Sequence, residues 1–197
     1  MRSERTREAV IDALLALVDE GNLRPTVRQI SARAGISQRT VFHHFQDRED
    51  LLRTAAEKQA GRVLSALPAA VVEGTLDSRL GAYIAARARL FEAITPVHRA
   101  ALLSEPFSAT IAGRLNWARR RDRDEVARVF APELARRRAA DRAELLAAIA
   151  MVTTWAAWET LRSHRGLSPL MARRVVQRTL HALLTEAAPG PKPPRVR

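Results

Sequence analysis

Residues 26–45, TVRQISARAGISQRTVFHHF, constrain the fold more than any other stretch of the chain. Four apolar residues have the spacing that packs two short helices on each other: Ile30, Ala34, Ile36 and Val41. Gly35 falls where the first helix must end, and glycine readily adopts the positive φ that helix ends often need. Thr26 and Ser37 each precede a helical stretch, where a hydroxyl can accept a free backbone N–H. The pattern predicts two short helices joined by a tight turn.

The second of these helices has a polar outer side, formed by Gln38, Arg39, Thr40, His43 and His44. Together the two helices make a helix-turn-helix with a recognition face. In a major groove, Arg39 could bind guanine O6 and N7, and Gln38 could bind adenine N6 and N7. An ordinary helical hairpin is the alternative interpretation of these twenty residues taken alone.

The other predicted DNA contacts go mainly to the sugar-phosphate backbone and fix the orientation of the module. We assign them to Thr26, Arg28, Ser37, Thr40, His43, His44 and Arg48. Thr40 could also contact a thymine methyl group, and Ser37 could divide its hydroxyl between helix capping and a phosphate. For Phe42 and Phe45 we predict core packing, although Phe42 could also touch the sugar-phosphate edge and is kept as a candidate contact.

The flanks of the motif strengthen the interpretation. An amphipathic helix precedes it, with two apolar rows: Val10, Leu14, Leu17 and Ile11, Leu15, Val18. Asp47 is a predicted N-cap of the next helix, and Glu49 and Asp50 fall in its first turn, where the helix dipole favours acids.

With these flanks, T-V-R-Q-I-S-A-R-A-G-I-S-Q-R-T-V-F-H-H-F followed by D-R-E-D-L-L resembles the tetracycline-repressor (TetR) family over about residues 5–55. The resemblance implies a dimeric, ligand-responsive transcriptional regulator. The family usually has a phosphate-binding tyrosine where this chain has Phe42 or His43. It often has a phosphate-binding lysine where this chain has Asp47 and Arg48. His43 and Arg48 would therefore have to make these two contacts here.

Composition and length support an all-α protein. Aromatic residues are only 5% of the 197 residues, and no run of alternating β-branched residues predicts a strand. The chain has no cysteine, so it can form neither a disulfide nor a thiolate metal site. We expect no secretory signal, because the N-terminus lacks an apolar stretch. The longest uncharged apolar run, 145–158, is too short to cross a bilayer. These features predict a cytoplasmic protein without a membrane partner.

The net charge of +12 does not by itself indicate nucleic acid, because residues 1–50 hold 8 basic and 8 acidic residues. Within this segment, however, residues 21–48 carry five arginines and one acidic residue. Double-stranded DNA is thus predicted from the local placement of charge. The mixed-sign cluster 119–125 is predicted to be a solvated helix face.

Proline positions and apolar periodicity predict the remaining helices: 47–67, 76–94, a short helix from Pro96 to Ser104, 107–130, 141–163 and 168–187. We predict a three-helix DNA-binding domain over 1–50, a helical effector-binding and dimerisation domain over 51–188, and a disordered tail over 189–197.

The last two predicted helices are candidates for a homodimer interface. Helix 141–163 is apolar nearly all round, and helix 168–187 has an apolar stripe. Two such pairs could form a four-helix bundle between subunits. The predicted interface residues are Leu146, Ile149, Leu161, Ala172, Val176, Leu180 and Leu183. The alternative is that both helices fill the core of a single subunit.

The resemblance also implies an effector pocket among the middle helices. The candidates are Tyr83, Arg87, Phe91, Phe107, Ile111, Leu115, Met151, Thr154, Trp155 and Trp158. An aromatic stripe at helical spacing belongs more often to a core than to a ligand pocket. A buried Arg87 or Arg114 could bind an anionic effector such as an acyl-CoA or a carboxylate, because a buried cation needs a partner.

Other chemistry finds little support in the sequence. The five histidines have no pair at i, i+4, and no HExxH occurs, so we predict no metal. Phosphate-binding glycine loops and a GxSxG motif are also absent, so we predict no cofactor and no enzymatic activity. The leading hypothesis is a dimeric repressor released from a palindromic operator by a small molecule. Two alternatives remain open: a sequence-nonspecific architectural DNA-binding protein, and a helical enzyme or carrier.

Overall fold

The computed structural model describes residues 2–66 and 72–185, which contain helices and no strand. These residues divide into two compact units. The first comprises the described residues of 1–67 together with 92–118, and the second comprises those of 68–91 together with 119–197. The all-helical fold predicted from the sequence is confirmed. The predicted tail, 189–197, lies outside the described residues.

The first unit contains four helices from the N-terminal part of the chain: α1 (Arg2–Asp19), α2 (Val27–Ala34), α3 (Gln38–His44) and α4 (Arg48–Ala66). One apolar core joins them. Its buried members are Val10, Ile11, Ala13, Leu14, Leu15, Val18, Ile30, Val41, Phe45, Leu51 and Ala55. Ala34 and Ile36 pack against this core, which confirms the spacing argument for the two short helices.

Local hydrogen bonds explain why α2 and α3 begin and end where they do. The Thr26 hydroxyl accepts the Gln29 N–H, and the Gln29 side chain accepts the Thr26 N–H, which forms a capping box. Gly35 ends α2 with φ of 68°, a left-handed conformation that side chains with a Cβ rarely adopt. The Ser37 hydroxyl then accepts the Thr40 N–H and starts α3.

The second unit is built from the helices of the C-terminal part of the chain: α7 (Ala131–Ala135), α8 (Ala139–Val152), α9 (Trp155–Glu159) and α10 (Pro169–Thr185). Two long helices contribute residues to both units: α5 (Leu76–Ser104) and α6 (Ala109–Val129). A short 3₁₀ turn, Glu105–Phe107, separates them along the chain.

The predicted break at Pro96 is wrong, because α5 continues through this residue to Ser104. A proline inside a helix removes one backbone hydrogen bond and normally costs stability. Here the residues that follow are held by packing, since Val97 and Ala100 lie against the core of the first unit. Burial of this part of the helix offsets the missing hydrogen bond.

The predicted single helix 141–163 is also wrong. Hydroxyl side chains interrupt it after Val152: Thr153 donates to the Ile149 carbonyl, and Thr154 caps α9 by accepting the Ala157 N–H. Threonine side chains that bond to nearby backbone groups compete with a continuous helix. A five-residue π-helical segment, Thr160–His164, follows α9.

The apolar stripe of α10 faces the interior of the second unit. Four of the predicted interface residues are buried within the single chain: Ile149, Ala172, Val176 and Leu180. Their prediction as interface residues is wrong, because α10 and α8 pack on each other and remove these side chains from the surface. Leu146, Leu161 and Leu183 are half-buried against the same core.

A buried ion pair crosses this core. The Arg79 guanidinium binds both carboxylate oxygens of Glu133 at 2.6 and 3.0 Å and also donates to the Val129 carbonyl. Both side chains are about 95% removed from solvent, with exposed fractions of 4% and 5%. A pair of this kind fixes α5 against α7, because removing either partner would leave a buried charge uncompensated.

Candidate DNA interface and candidate effector cavity

The outer face of α3 is free of intramolecular contacts at its predicted base-reading positions. Gln38 and Arg39 are exposed, and no hydrogen bond or ion pair joins either side chain to the described residues. Val41 is buried on the opposite side of the helix, and Phe45 is buried just after it, so they hold α3 in place. The helix therefore presents an amide and a guanidinium side chain with their donors available.

Phe42 does not pack in the core, because 53% of its surface is exposed. The core-packing expectation for Phe42 is wrong, whereas that for Phe45 is confirmed. His43 is exposed, and its ring lies edge-on to the half-buried His44 ring at 5.4 Å. Phe42 and the two histidines thus form an aromatic patch at the C-terminal end of α3.

The three hydroxyl residues among the predicted contacts are engaged in local caps. Besides accepting an N–H, the Thr26 hydroxyl lies 2.9 Å from the Gln29 amide oxygen. The Ser37 and Thr40 hydroxyls share a hydrogen bond of 2.9 Å. All three residues lie at the N-terminal ends of α2 and α3. Hydroxyls placed there support the helix ends that point toward a backbone phosphate in modules of this type.

The five arginines of residues 21–48 divide into two groups. Arg24 donates to the Leu103 carbonyl at 3.0 Å, and Arg33 forms a bidentate pair with Glu20 at 2.5 and 2.9 Å. The side chains of Arg28, Arg39 and Arg48 are exposed and have no such partner among the described residues. The candidate DNA surface therefore carries three available arginines, one at each of α2, α3 and the start of α4.

The start of α4 is bound to the start of α6. The Glu49 carboxylate accepts the Ser108 hydroxyl at 2.8 Å. The Thr110 hydroxyl, followed by the Ser108 hydroxyl, holds the pKa of Glu49 below its ordinary value, and the Thr110 N–H acts in the same direction. A carboxylate at the N-terminus of a helix also complements the helix dipole. Sequence reasoning predicted Glu49 only as a first-turn acid of α4 and missed this contact, which depends on a residue 59 positions away.

The second unit contains a cavity beside α5. Five of the predicted effector-pocket residues line it: Tyr83, Arg87, Phe91, Thr154 and Trp158. The other lining residues are Ile84, Ala88, Val152, Thr153 and Val176, so the wall is almost entirely apolar. Its volume of about 10 Å³ has room for a single water-sized group.

Arg87 is the charged residue of this cavity, and its charge is already matched. Its Nη1 and Nη2 atoms bind the two carboxylate oxygens of Asp122 at 2.6 and 2.7 Å, and Nη2 also donates to the Thr153 carbonyl. Glu125 lies 3.8 Å from Nη1. Burial alone would lower the pKa of Arg87, but the hydrogen bond to Asp122 and the field of its neighbours raise it overall. The guanidinium therefore stays charged.

Two polar atoms of the cavity-lining residues are buried without a partner in hydrogen-bond geometry: the Tyr83 hydroxyl and the Arg87 Nε. Burial raises the pKa of Tyr83, which keeps the hydroxyl protonated, although the Thr153 hydroxyl is close enough to act in the opposite direction. The Arg87 guanidinium stacks on the Phe91 ring at 4.5 Å from its centroid.

The other predicted pocket residues lie elsewhere. Met151 and Phe107 are 67% and 81% exposed, and half-buried Trp155 does not line the cavity. Ile111 and Leu115 are buried in the first unit. Arg114 is half-buried and stacks on the Trp117 ring, beside a separate first-unit cavity of about 250 Å³ between α4 and α6.

Sequence reasoning missed Asp122, because the cluster 119–125 was predicted to be a solvated helix face. Asp122 is on α6 and 40% exposed, yet it supplies the carboxylate that binds Arg87. Alternating charges on one helix give no local indication that one of them faces a buried arginine of another helix. Within residues 2–66 and 72–185, no cluster of three or more histidine and acidic residues could hold a metal ion. No helix of this described part has the length and apolarity to span a bilayer.

Comparison with known proteins agrees with the geometry of the first unit. The family described as "Bacterial regulatory proteins, tetR family" matches residues 10–55, which include all of α2 and α3. The match identifies residues 10–55 as a domain of the tetR-family type. The helix-turn-helix resemblance predicted from the sequence is thereby confirmed, and the family consists of regulators rather than enzymes.

Solved structures resemble the fold of the whole chain. A transcriptional regulator from Rhodococcus sp. Rha1 has a TM-score of 0.67 at 19% identity and covers 93% of this chain and 96% of its own. A candidate transcriptional regulator from Pseudomonas aeruginosa PAO1 has a TM-score of 0.67 at 20% identity, with coverages of 92% and 91%. SmeT, in a complex with triclosan, has a TM-score of 0.64 at 19% identity, with coverages of 96% and 98%. No curated protein matches the sequence.

Proposed function

We propose that this tetR-family protein is a sequence-specific DNA-binding repressor that acts as a homodimer and leaves a palindromic operator when a small molecule binds. The observation that carries the proposal is the face of α3. It exposes Gln38 and Arg39, which form no hydrogen bond or ion pair with the described part of the chain, on a helix whose other side is fixed in an apolar core. Such a helix fits a major groove, where these two side-chain types read adenine and guanine.

Each predicted contact has a role in this arrangement. Arg39 and Gln38 read bases, while Arg28 and Arg48 neutralise phosphates from α2 and from the start of α4. Thr26, Ser37 and Thr40 support the helix ends that approach the backbone. Phe42, His43 and His44 contact the sugar-phosphate edge from the end of α3, in the places where relatives use tyrosine. Backbone contacts orient the module, and base contacts give it sequence preference.

Apolar side chains that stay exposed on the C-terminal helices support a homodimer. Large apolar side chains are exposed on α8 and α10: Met151, Leu170, Met171 and Val175. Exposed alanines at positions 140, 143 and 147 add small side chains along α8. We propose that a second copy of the chain covers this surface, which replaces the buried stripe as the candidate interface. Two recognition helices related by a two-fold axis would then read two half-sites.

The dimer surface can be tested by charge insertion. Met171→Glu combined with Val175→Glu should convert a dimer into a monomer in sedimentation-velocity measurements, because two carboxylates would be buried in an apolar contact. Gln177→Glu is the control, since it adds a carboxylate at an exposed polar position of α10 and should leave the dimer intact. A wild-type protein that sediments as a monomer at micromolar concentration would refute the proposed assembly.

Release from DNA requires a path from an effector to α4. Two contacts of the first unit are suited to transmit a shift of the α5 and α6 ends. Glu49 binds the start of α6, and Arg24 binds the carbonyl of Leu103 near the end of α5. A displacement of these ends would shift the segments that precede and follow the helix-turn-helix, at Arg24 and at Glu49. The effector then lowers DNA affinity by favouring one of two conformations. The triclosan complex of SmeT supports small-molecule binding within this fold.

The proposal is tested by selecting bound duplexes from a random DNA pool with the purified protein at physiological ionic strength. We expect an inverted repeat whose half-sites are separated by one or two helical turns. Enrichment without any shared sequence, with affinity set by salt alone, would favour the architectural DNA-binding alternative. Absence of DNA affinity would refute the regulator proposal.

A further inference from the structure

The cavity beside α5 contains an unusual combination of groups, and its chemistry restricts the effector. This inference rests on the proposed function, because it assigns the ligand class of the proposed repressor. Two side chains one helical turn apart on α5, Tyr83 and Arg87, each have a buried donor without a partner. Buried donors that lack a partner cost stability, so an acceptor placed between them is favoured.

The charges around Arg87 disfavour an anion, which would be the simplest ligand for a buried cation. Asp122 occupies both Nη atoms, and Glu125 adds a second carboxylate at 3.8 Å. The three groups together carry a net negative charge. An incoming anion would have to displace Asp122 or enter beside two carboxylates in surroundings of low dielectric constant. The expectation of an anionic effector bound by Arg87 is therefore not supported by the geometry.

The free side of Arg87 is its Nε–H, which can donate only one hydrogen bond. The Tyr83 hydroxyl can donate the second. An uncharged oxygen, as in a phenol, ketone, ether, ester or amide, could accept both without adding charge. The remaining wall consists of Ile84, Ala88, Phe91, Val152, Trp158 and Val176, whose side chains suit an aromatic or aliphatic body.

We propose that the effector is an uncharged, largely apolar molecule whose acceptor oxygen lies between the Tyr83 hydroxyl and the Arg87 Nε. The present volume of about 10 Å³ admits only that oxygen, so the body of the ligand must displace part of the wall. The wall includes Thr153 and Thr154, where the helix is already interrupted between α8 and α9. Displacing residues there breaks fewer helical hydrogen bonds than displacing the middle of α5 would.

The sequence offers a sharp spectroscopic test, because Tyr83 is the only tyrosine of the chain. Replacement of tyrosine by 3-fluorotyrosine gives one ¹⁹F resonance that reports on this cavity. Two pairs of probes share a naphthalene body and differ chiefly in charge: the ester methyl 2-naphthoate against the anion 2-naphthoate, and the ketone 2-acetylnaphthalene against the anion 2-naphthaleneacetate. We expect the uncharged probes to shift the resonance and to bind at least about tenfold more tightly than the anions in calorimetry.

Two variants locate the interaction. Tyr83→Phe should weaken binding of the uncharged probes by about three- to tenfold, because it removes one hydrogen bond. Asp122→Asn should reduce the difference in affinity between the uncharged and the anionic probes, since it removes a carboxylate and frees part of the Arg87 guanidinium. Trp117→Phe, in the first-unit cavity, is the matched control and should leave the affinities unchanged.

Tighter binding of the anionic probes, binding without a shift of the Tyr83 resonance, or no binding of either uncharged probe up to its solubility would each overturn the inference. These measurements contain no DNA, so they distinguish its failure from that of the proposed function. A protein that selects an inverted repeat but binds the anions more tightly remains a repressor with a different effector. A protein that binds the uncharged probes but selects no DNA sequence refutes the repressor while the cavity assignment stands.

Discussion

Arg39 on α3 is exposed and has no partner among the described residues, whereas Arg87 on α5 is buried, binds a carboxylate through two nitrogens and stacks on Phe91. Arg79 in the second unit is likewise buried against Glu133. An arginine that is to bind an external phosphate or base must be left unpaired at the surface. A buried arginine instead pairs its charge with a carboxylate of the same chain. The same residue type therefore indicates DNA binding in one unit and structural stability in the other.

The comparison predicts the largest effect at the buried pair. Arg79→Met should lower the free energy of unfolding by about 3–5 kcal/mol, because Glu133 would remain buried without a cation. Urea unfolding followed by circular dichroism measures the loss. Arg33→Met is the matched control, since Arg33 pairs with Glu20 at the surface and such pairs contribute about 0–1 kcal/mol. Equal effects of the two substitutions would contradict the distinction.

The same pair predicts a dependence of stability on pH. Burial tends to raise the pKa of Glu133, but the hydrogen bonds from Arg79 outweigh it and lower the pKa from its ordinary value of 4.5. The ionised Glu133 therefore contributes fully to stability above pH 4.5. This contribution is lost as the pH falls toward the lower pKa that Glu133 has in the folded protein. Glu133→Gln should weaken the pH dependence of the free energy of unfolding in this acidic range. An unchanged pH dependence would show that the ion pair does not contribute to stability.

The next largest effect is expected on DNA affinity, at the three exposed arginines of the candidate DNA surface. Arg39→Ala should cost about 1–3 kcal/mol of binding and relax the preference at one base position. Arg28→Ala and Arg48→Ala should weaken binding to all sequences alike and reduce its salt dependence. Fluorescence anisotropy on the selected duplex and on point-mutated duplexes separates the two patterns. Arg33→Ala serves as the control, because its side chain is already paired; a loss there equal to that of Arg39→Ala would refute the assignment.

A smaller effect is expected at the turn that positions α3. Gly35→Ala should destabilise the protein by about 1–2 kcal/mol, because its φ of 68° strains a residue with a Cβ. The space around this position is open, so the cost comes from the backbone alone. Thermal unfolding measures it, and Gly61→Ala within α4 is the control, since glycine there has ordinary helical geometry. Equal stability of Gly35→Ala and wild type would contradict the left-handed turn.

The most local effect is expected at the contact between α4 and α6. Glu49→Ala should increase hydrogen exchange of the Thr110 amide, because its acceptor is removed, while the fold as a whole is retained. Glu57→Ala, at an exposed position of the same helix, is the control. Unchanged protection of Thr110 would show that the carboxylate does not cap α6.

The helix-turn-helix could be predicted from sequence because its determinants are local. The capping residues Thr26 and Ser37, the glycine at position 35 and the apolar spacing all lie within twenty residues, and each fulfils its predicted structural role. Phe42 is the exception. Its apolar character predicted burial, but its place on the outer face of α3 decides its exposure.

The second unit could be predicted only in outline. The apolar stripe of α10 showed which residues would be buried but not whether the same chain or a second copy would bury them. Thr153 and Thr154 interrupted the apolar run through side-chain hydrogen bonds that outweigh its helical periodicity. The pairing of Arg87 with Asp122, 35 residues away, depends on the packing of α5 and α6 and has no signature within either helix.

One competition measurement tests the central claim that α3 reads DNA sequence. The protein is bound to a labelled duplex carrying the selected inverted repeat at 150 mM salt, and unlabelled specific or scrambled duplex is added as competitor. We predict that the specific duplex competes at least about a thousandfold better, as specific DNA-binding proteins do, and that Arg39→Ala narrows this ratio. Equal competition by the scrambled duplex would contradict the account.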